Sequence, residues 1–298
     1  MTLPTPETDS AESFDAGSAA RRAYAILRGY PALILYPVAA TASTLVLLWL
    51  FARQVPIDLH APRSLPVWLN HVGTFLNLRR TPHPAWVGLY YLGVLFAAAF
   101  FNTALYSELL RIYAGEAHSL GRGLRFALHR LGPILTYSLL FATVGVLLRI
   151  LSSRGGWILR LVGLAGSFSW SVMAVFAIPV LVREGSYNPI AVVKTSTGLV
   201  RRTWGEAVYG FVRLAFGPLL AAALLGGFAI PFAGHYLSGE AQVVVPVVAI
   251  ALVFLASIWT SILTDIFKGA LYIYATEGIV PDAFRREDLD GYWKISGR

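Results

Sequence analysis

Six stretches of the chain are predominantly apolar over roughly 20 residues, the length that crosses a hydrocarbon core of about 30 Å as a helix. They cover 31–51, 85–109, 132–151, 157–182, 208–230 and 243–268. A surface helix of a soluble protein interrupts its apolar stripe with polar positions every few residues; these runs do not. In lipid an unpaired backbone amide is expensive, so each run must close its own hydrogen bonds as a helix. Pro37, Pro179, Pro218 and Pro246 fall within or near the ends of runs. Each removes one ladder donor and predicts a kink.

Between the runs the period changes. Over 120–131, Leu120, Leu124, Ala127, Leu128 and Leu131 share one side of a helix, and Arg122, Arg125, His129 and Arg130 spread over the rest. The next such segment has Asn188 as N-cap, Pro189 at the first helical position, and Ile190, Val193, Val200 and Trp204 on one stripe. Helices of this kind lie in the headgroup plane. Three basic segments, RRAYAILRGYP, RFALHRLGPIL and GLVRRTWGEAV, precede the first, third and fifth runs, with Gly29, Gly132 and Gly205 marking the turn into the membrane. The even runs also end alike, in FNTALY at 101–106, FAIPVL at 176–181 and FKGALY at 267–272. Weak motifs recurring at one place predict a unit used three times, an amphipathic helix followed by a hairpin.

Composition agrees. The 298 residues are 56% hydrophobic and 13% charged, against about 25% charged in a soluble domain. With no cysteine, disulfides, thiolate metal sites and thiol nucleophiles are excluded. The net charge of +8 sits between the runs rather than on one soluble face, which points to anionic lipid and not to nucleic acid. The side that carries both termini holds 17 of the 24 Lys and Arg residues and the other side 7, so the positive-inside rule puts both termini in the cytoplasm. Residues 1–17 read as a polar tail without a cleavable signal, 18–277 as the membrane domain and 278–298 as a second tail. The outward loop 52–84 carries His60, His71 and His83, without the close spacing of a metal site.

Polar groups within a bilayer are costly and mark candidate sites. The sixth run places Ser257, Thr260, Ser261, Thr264, Asp265 and Lys268 on one helical face. Asn102, Thr103, Ser107 and Glu108 stand at the inner end of the second run, and Arg213 enters from the fifth as a partner for Asp265 or Glu108. Asn102, Glu108, Arg213, Ser261, Asp265 and Lys268 thus form a candidate polar cavity open to the cytoplasm. The alternative is hydroxyls acting as interhelical glue and an Asp265–Lys268 pair at the interface. Arg122, Arg125, Arg130, Lys194, Arg201 and Arg202 are candidate headgroup contacts; alternatively their helices form a structural cuff. Gly163, Ser167 and Ser171 make a small-residue stripe for helix packing.

No nucleophile elbow, HExxH, phosphate loop or close carboxylate pair is present, and no cofactor or metal is expected. The segment FFNTALYSELLRIYAGEAHSLGRGLRFALHRLGPIL, the elements at Trp170 and 178–185, and AILRGYPALILYPVAA resemble a bacterial integral-membrane family known only as a domain of unknown function. The resemblance covers roughly 19–277 and implies a bacterial cytoplasmic-membrane protein, without supplying an activity. The plan more distantly resembles the membrane domain attached to some glycerophosphodiester phosphodiesterases, whose catalytic domain is not present here. The expected fold is therefore all-α integral membrane: six transmembrane helices as three tandem hairpins joined by cytoplasmic amphipathic helices. The expected role is non-enzymatic interaction with anionic lipids, or scaffolding of a protein partner or second copy. The rival is a transporter or channel for a small or amphiphilic solute.

Overall fold

The computed structural model describes residues 16–52, 84–154, 163, 166–167, 169–203, 232, 235–236, 238, 241–286 and 289. In chain order these give α1 (Ala16–Gly29), a 3-10 turn (Pro31–Ile34), α2 (Leu35–Ala52), α3 (Pro84–Tyr113), α4 (Leu120–His129), α5 (Leu131–Arg154), α6 (Ala177–Glu184), α7 (Pro189–Thr203) and α8 (Ala241–Glu277). There is no strand among the described residues. Four helical stretches there are long and apolar enough to cross a membrane: Pro31–Phe51, Ala85–Tyr113, Leu131–Leu148 and Val247–Glu277. The run 157–182 is described in part. The run 208–230, with Arg213, and the three histidines of the outward loop lie outside the described residues, as do Trp204 and Gly205.

Two of the helices are longer than a bilayer requires. At 1.5 Å per residue, the 30 residues of α3 reach about 45 Å and the 37 of α8 about 55 Å, against a core of about 30 Å. The sequence ends the last run at Lys268, but α8 continues to Glu277. Lys268 does not stop the helix because it pairs with Asp265 one turn back, and Ala270, Leu271, Tyr272 and Ile273 beyond it are buried.

Packing concentrates where these helices overrun. Leu105, Leu109, Phe176, Leu181, Ile266 and Leu271 meet there, with Leu33 and Tyr36 at the entry to α2. Away from that end the spans turn large apolar side chains outward: Trp49, Leu147 and Leu255 are 57%, 60% and 63% exposed. In water each would forgo about 25 cal/mol for every Å² left uncovered; among lipid tails that penalty disappears. Phe51 of α2 meets Trp86 and Tyr90 of α3 at 5.8 Å between ring centroids, an aromatic cluster of the kind that marks a membrane–water boundary.

The connecting helices pack on this end, α1 against α8, α4 against α3, and α7 against α6. On α4 the predicted stripe divides. Gly123 and Ala127 are buried on α3, Leu120 and Leu124 are half-buried, and Leu128 and Leu131 are exposed. The contact belongs to small residues because they let the two backbones approach. A Cβ on Gly123 would stand 2.9 Å from the Ala104 carbonyl oxygen, and that backbone atom has no rotamer to change. Only Arg130 separates α4 from α5, so the amphipathic helix runs directly into the next span. On α7, Asn188 Oδ1 accepts the Ile190 and Ala191 amides at 3.1 and 3.2 Å. This is the cap that its place before Pro189 predicts. Val192, Val193, Ser196, Leu199 and Val200 form the buried face, while Ile190 in the first turn is exposed.

Pro179 has the predicted effect. The helix breaks into a turn at Ala174–Phe176 before α6, since a proline ring clashes with the carbonyl four residues back. Ser196 of α7 fills the gap: its hydroxyl donates to the Met173 carbonyl at 2.6 Å and accepts the Phe176 amide at 3.1 Å. Pro37, by contrast, sits in the first turn of α2, directly after the 3-10 turn, and the helix continues through it. Pro246 falls inside α8, which continues through it, and Pro218 lies outside the described residues. Beyond α8 the chain folds back, with Phe284 and Leu289 buried in the common core. The packed domain therefore continues past Glu277 into the segment that reads as a tail.

Candidate functional site

The polar residues flagged in the sequence fall into two separate clusters and one cavity. The first cluster forms where α3 leaves the bilayer. Counting about 20 residues from Trp86 ends the hydrocarbon near Tyr106, so Glu108 stands just past it. The Glu108 side chain is fully buried. Arg122 of α4 binds it through two bonds, from Nε to Oε1 and from Nη2 to Oε2, both 3.0 Å. The Ser119 amide donates to Oε2 at 2.7 Å, and His118 Nδ1 lies 3.4 Å from the same oxygen. Arg122 also donates to the Ala117 carbonyl at 2.6 Å. These bonds to Glu108, then the charges of Glu108 and Glu116, raise the Arg122 guanidinium above its ordinary pKa. Such a two-pronged arginine–carboxylate fit fixes orientation as well as attraction. It staples α4 across the end of α3.

Asp265 anchors the second cluster, between α8 and α3. Tyr106 donates to its Oδ1 at 3.1 Å, Ser261 approaches Oδ2 at 3.5 Å, and Lys268 Nζ lies 3.6 Å from Oδ1. Two turns further along α3, the Tyr113 hydroxyl donates to the Ile266 carbonyl at 2.6 Å. Gly269 faces the Tyr113 ring, where a Cβ would come within 3.2 Å. Both carboxylates are thus satisfied by the protein itself and hold helices together. Arg213, the expected partner for either, lies outside the described residues.

The cavity lies between α2, α3 and α8 and holds about 360 Å³. Asn102 and Ser261 line it; Glu108, Asp265 and Lys268 do not. A second hollow, about 330 Å³, opens between Ser107, Arg111, Phe126 and Arg183. Its two arginines already bind carboxylates, Arg111 to Glu116 at 2.8 Å and Arg183 to Glu277. No group of three His, Cys, Asp or Glu residues among those described is arranged to hold a metal ion.

The basic residues differ in freedom. Arg122 is engaged with Glu108. Arg130 is half-buried, its guanidinium 5.2 Å from the Phe126 ring and against Gly185. Gly185 ends α6 at φ +60, so Arg130 sets its charge at the negative end of that helix dipole. Arg125, Lys194 and Arg201 are exposed. Arg202 lies in the last turn of α7. Of the proposed packing stripe, Gly163 is buried, while Ser167 and Ser171 are exposed and donate to carbonyls four residues back on their own helix.

Sequence reasoning missed Tyr106, Tyr113, Ser119 and Ser196 as partners. A signal existed for Tyr106, which closes the recurring FNTALY motif, and for Gly123 and Ala127, a small-residue pair at helical spacing. No curated protein and no solved structure matches the chain. Residues 85–281 match a family of unknown function, DUF6159, so the stretch carrying both carboxylate clusters and Ser196 is the family's own, and the chain belongs to that family.

Proposed function

We propose that this is a non-enzymatic membrane protein that presents basic amphipathic helices to an anionic lipid surface and serves there as a lipid-binding scaffold. The stapled position of α4 is the observation that carries this reading. Bound to α3 through Glu108 and Gly123, it displays exposed Arg125, Leu128 and His129, with exposed Leu131 following at the start of α5. A helix that offers leucine and arginine together beside a span suits the headgroup layer. The internal engagement of Glu108 and Asp265 favours this role over a transport path, which needs groups free to exchange partners.

In this reading six spans form three hairpins, each preceded by a cytoplasmic amphipathic helix. The burial of Ala104 and Leu105, of Pro179 and Val180, and of Ala270 and Leu271 at matching places of the three motifs supports the repeat. Both termini then lie in the cytoplasm of a bacterial inner membrane, and a protein partner or second copy would dock on the same basic face.

Each basic group close to an anionic surface contributes about 1 kcal/mol. Replacing Arg125, Lys194 and Arg201 together with alanine should therefore lower phosphatidylglycerol enrichment around the protein severalfold. Lipids retained in native nanodiscs, counted by mass spectrometry, measure this. An unchanged ratio of anionic to zwitterionic lipid overturns the reading.

A further inference from the structure

The cavity between α2, α3 and α8 has a composition that selects a ligand. Its walls are mainly apolar, with Ala40 and Pro37 on α2 and Phe254 and Ile258 on α8. Into this surface come Asn102, Ser257 and Ser261, with Thr41 and Thr44 of α2 opposite. The two threonine hydroxyls donate to their own helix, to the Pro37 and Ala40 carbonyls, each at 2.9 Å. They present only lone pairs to the space. Among the described residues the Asn102 amide and the Ser257 hydroxyl have no hydrogen-bond partner. The cavity therefore offers two amide protons, one hydroxyl proton and several acceptor oxygens. No charged residue lines it; Asp265, one turn beyond Ser261, is held by Tyr106 and Lys268.

An amide without a partner at this depth is unfavourable, and a ligand that supplies both donor and acceptor relieves it. A charged headgroup would lose its hydration with no counter-charge to meet. At about 360 Å³ the space lies in the lower range of small-molecule pockets, about 300–1,000 Å³. It suits a glycerol-sized head. Leu45 and Val46 on α2 and Leu252 and Leu255 on α8 continue along the same helices as exposed apolar surface, on which an acyl chain can lie. We propose that this cavity binds the uncharged hydroxyl or ester head of a neutral amphiphile, of the mono- or diacylglycerol class, drawn laterally from the bilayer. The site differs from the anionic-lipid face proposed above and stands or falls independently of it.

The test uses the full chain in nanodiscs with a monoacylglycerol carrying a diazirine beside its ester and an alkyne at its tail. After irradiation, mass spectrometry should find adducts on the cavity walls of α2, α3 and α8. Unlabelled mono-oleoylglycerol should compete and phosphatidylglycerol should not. Asn102→Leu, which removes the amide and fills its place, should reduce wall labelling about ten-fold, the equivalent of 1.4 kcal/mol. Ala40→Phe, from the opposite wall, should do the same, so the result does not depend on one variant folding. Labelling spread evenly over lipid-facing residues away from the site, such as Leu147 of α5, and indifferent to both substitutions overturns the site. Equal competition by phosphatidylglycerol overturns the neutral head.

Discussion

Ser196 provides the sharpest test of how this bundle is held together. Its side chain is fully buried and makes two bonds to the break in the helix before α6, one to the Met173 carbonyl and one from the Phe176 amide. Ser196→Ala removes a single oxygen and strands both backbone groups where water does not reach. A buried polar group that loses its partner costs about 1–3 kcal/mol, so two cost about 2–6 kcal/mol, less about 0.5 kcal/mol for the gain in helix propensity of α7. About 1 kcal/mol moves the melting temperature of a large domain about 2–4 °C. A drop of at least about 3 °C, and up to about 20 °C, is therefore expected, read by tryptophan fluorescence during heating in detergent. The control is the neighbouring Thr195→Ala, exposed on the same helix, which should melt within about 1–2 °C of the parent. Hydrogen exchange at the Phe176 amide should quicken in the serine variant alone. If Ser196→Ala melts with Thr195→Ala, the bridging role is wrong.

Two further outcomes follow from the geometry. Arg122→Ala leaves a carboxylate with no water around it, held by the Ser119 amide with His118 3.4 Å away, whereas Glu108→Gln leaves a half-exposed guanidinium that solvent can take up. The arginine variant should lose more melting temperature than the glutamine variant, and the double variant should recover part of the loss; the reverse order would contradict a buried, charged Glu108. Gly185→Ala puts a side chain at φ +60 and into the Arg130 guanidinium, at a cost of about 1–2 kcal/mol from the backbone alone. If that variant melts like the parent, α6 does not end in a left-handed cap.

The spans were the easiest part of the chain to read, because length and apolarity are properties of a segment by itself. Asn188 and Pro189 were equally plain, since a cap acts within three residues. Partners were harder. For Glu108 or Asp265 the sequence offers Arg213, which lies outside the described residues. It does not point to Arg122, which a six-residue connection returns to Glu108 from fourteen positions along the chain. No periodic pattern encodes that return. The stripe on α4 divides for a related reason: leucines mark what avoids water, and beside a membrane both protein and lipid satisfy that need. The smallest residues, Gly123 and Ala127, show which side meets protein. The last run ends at Lys268 in the sequence, whereas the helix that carries it continues to Glu277, with the Asp265–Lys268 pair inside it.

The chain closes on itself last. Arg22 near its beginning donates to the Ala283 carbonyl at 3.4 Å, across 261 positions, and Tyr24 of α1 touches Trp259 of α8. During synthesis α1 must therefore wait for its partners on and beyond α8, and its contact with Ala283 forms only after residue 283 has been made. A chain stopped just before Ala283 would keep every described span and lose the Arg22 bond, leaving the rim open on that flank.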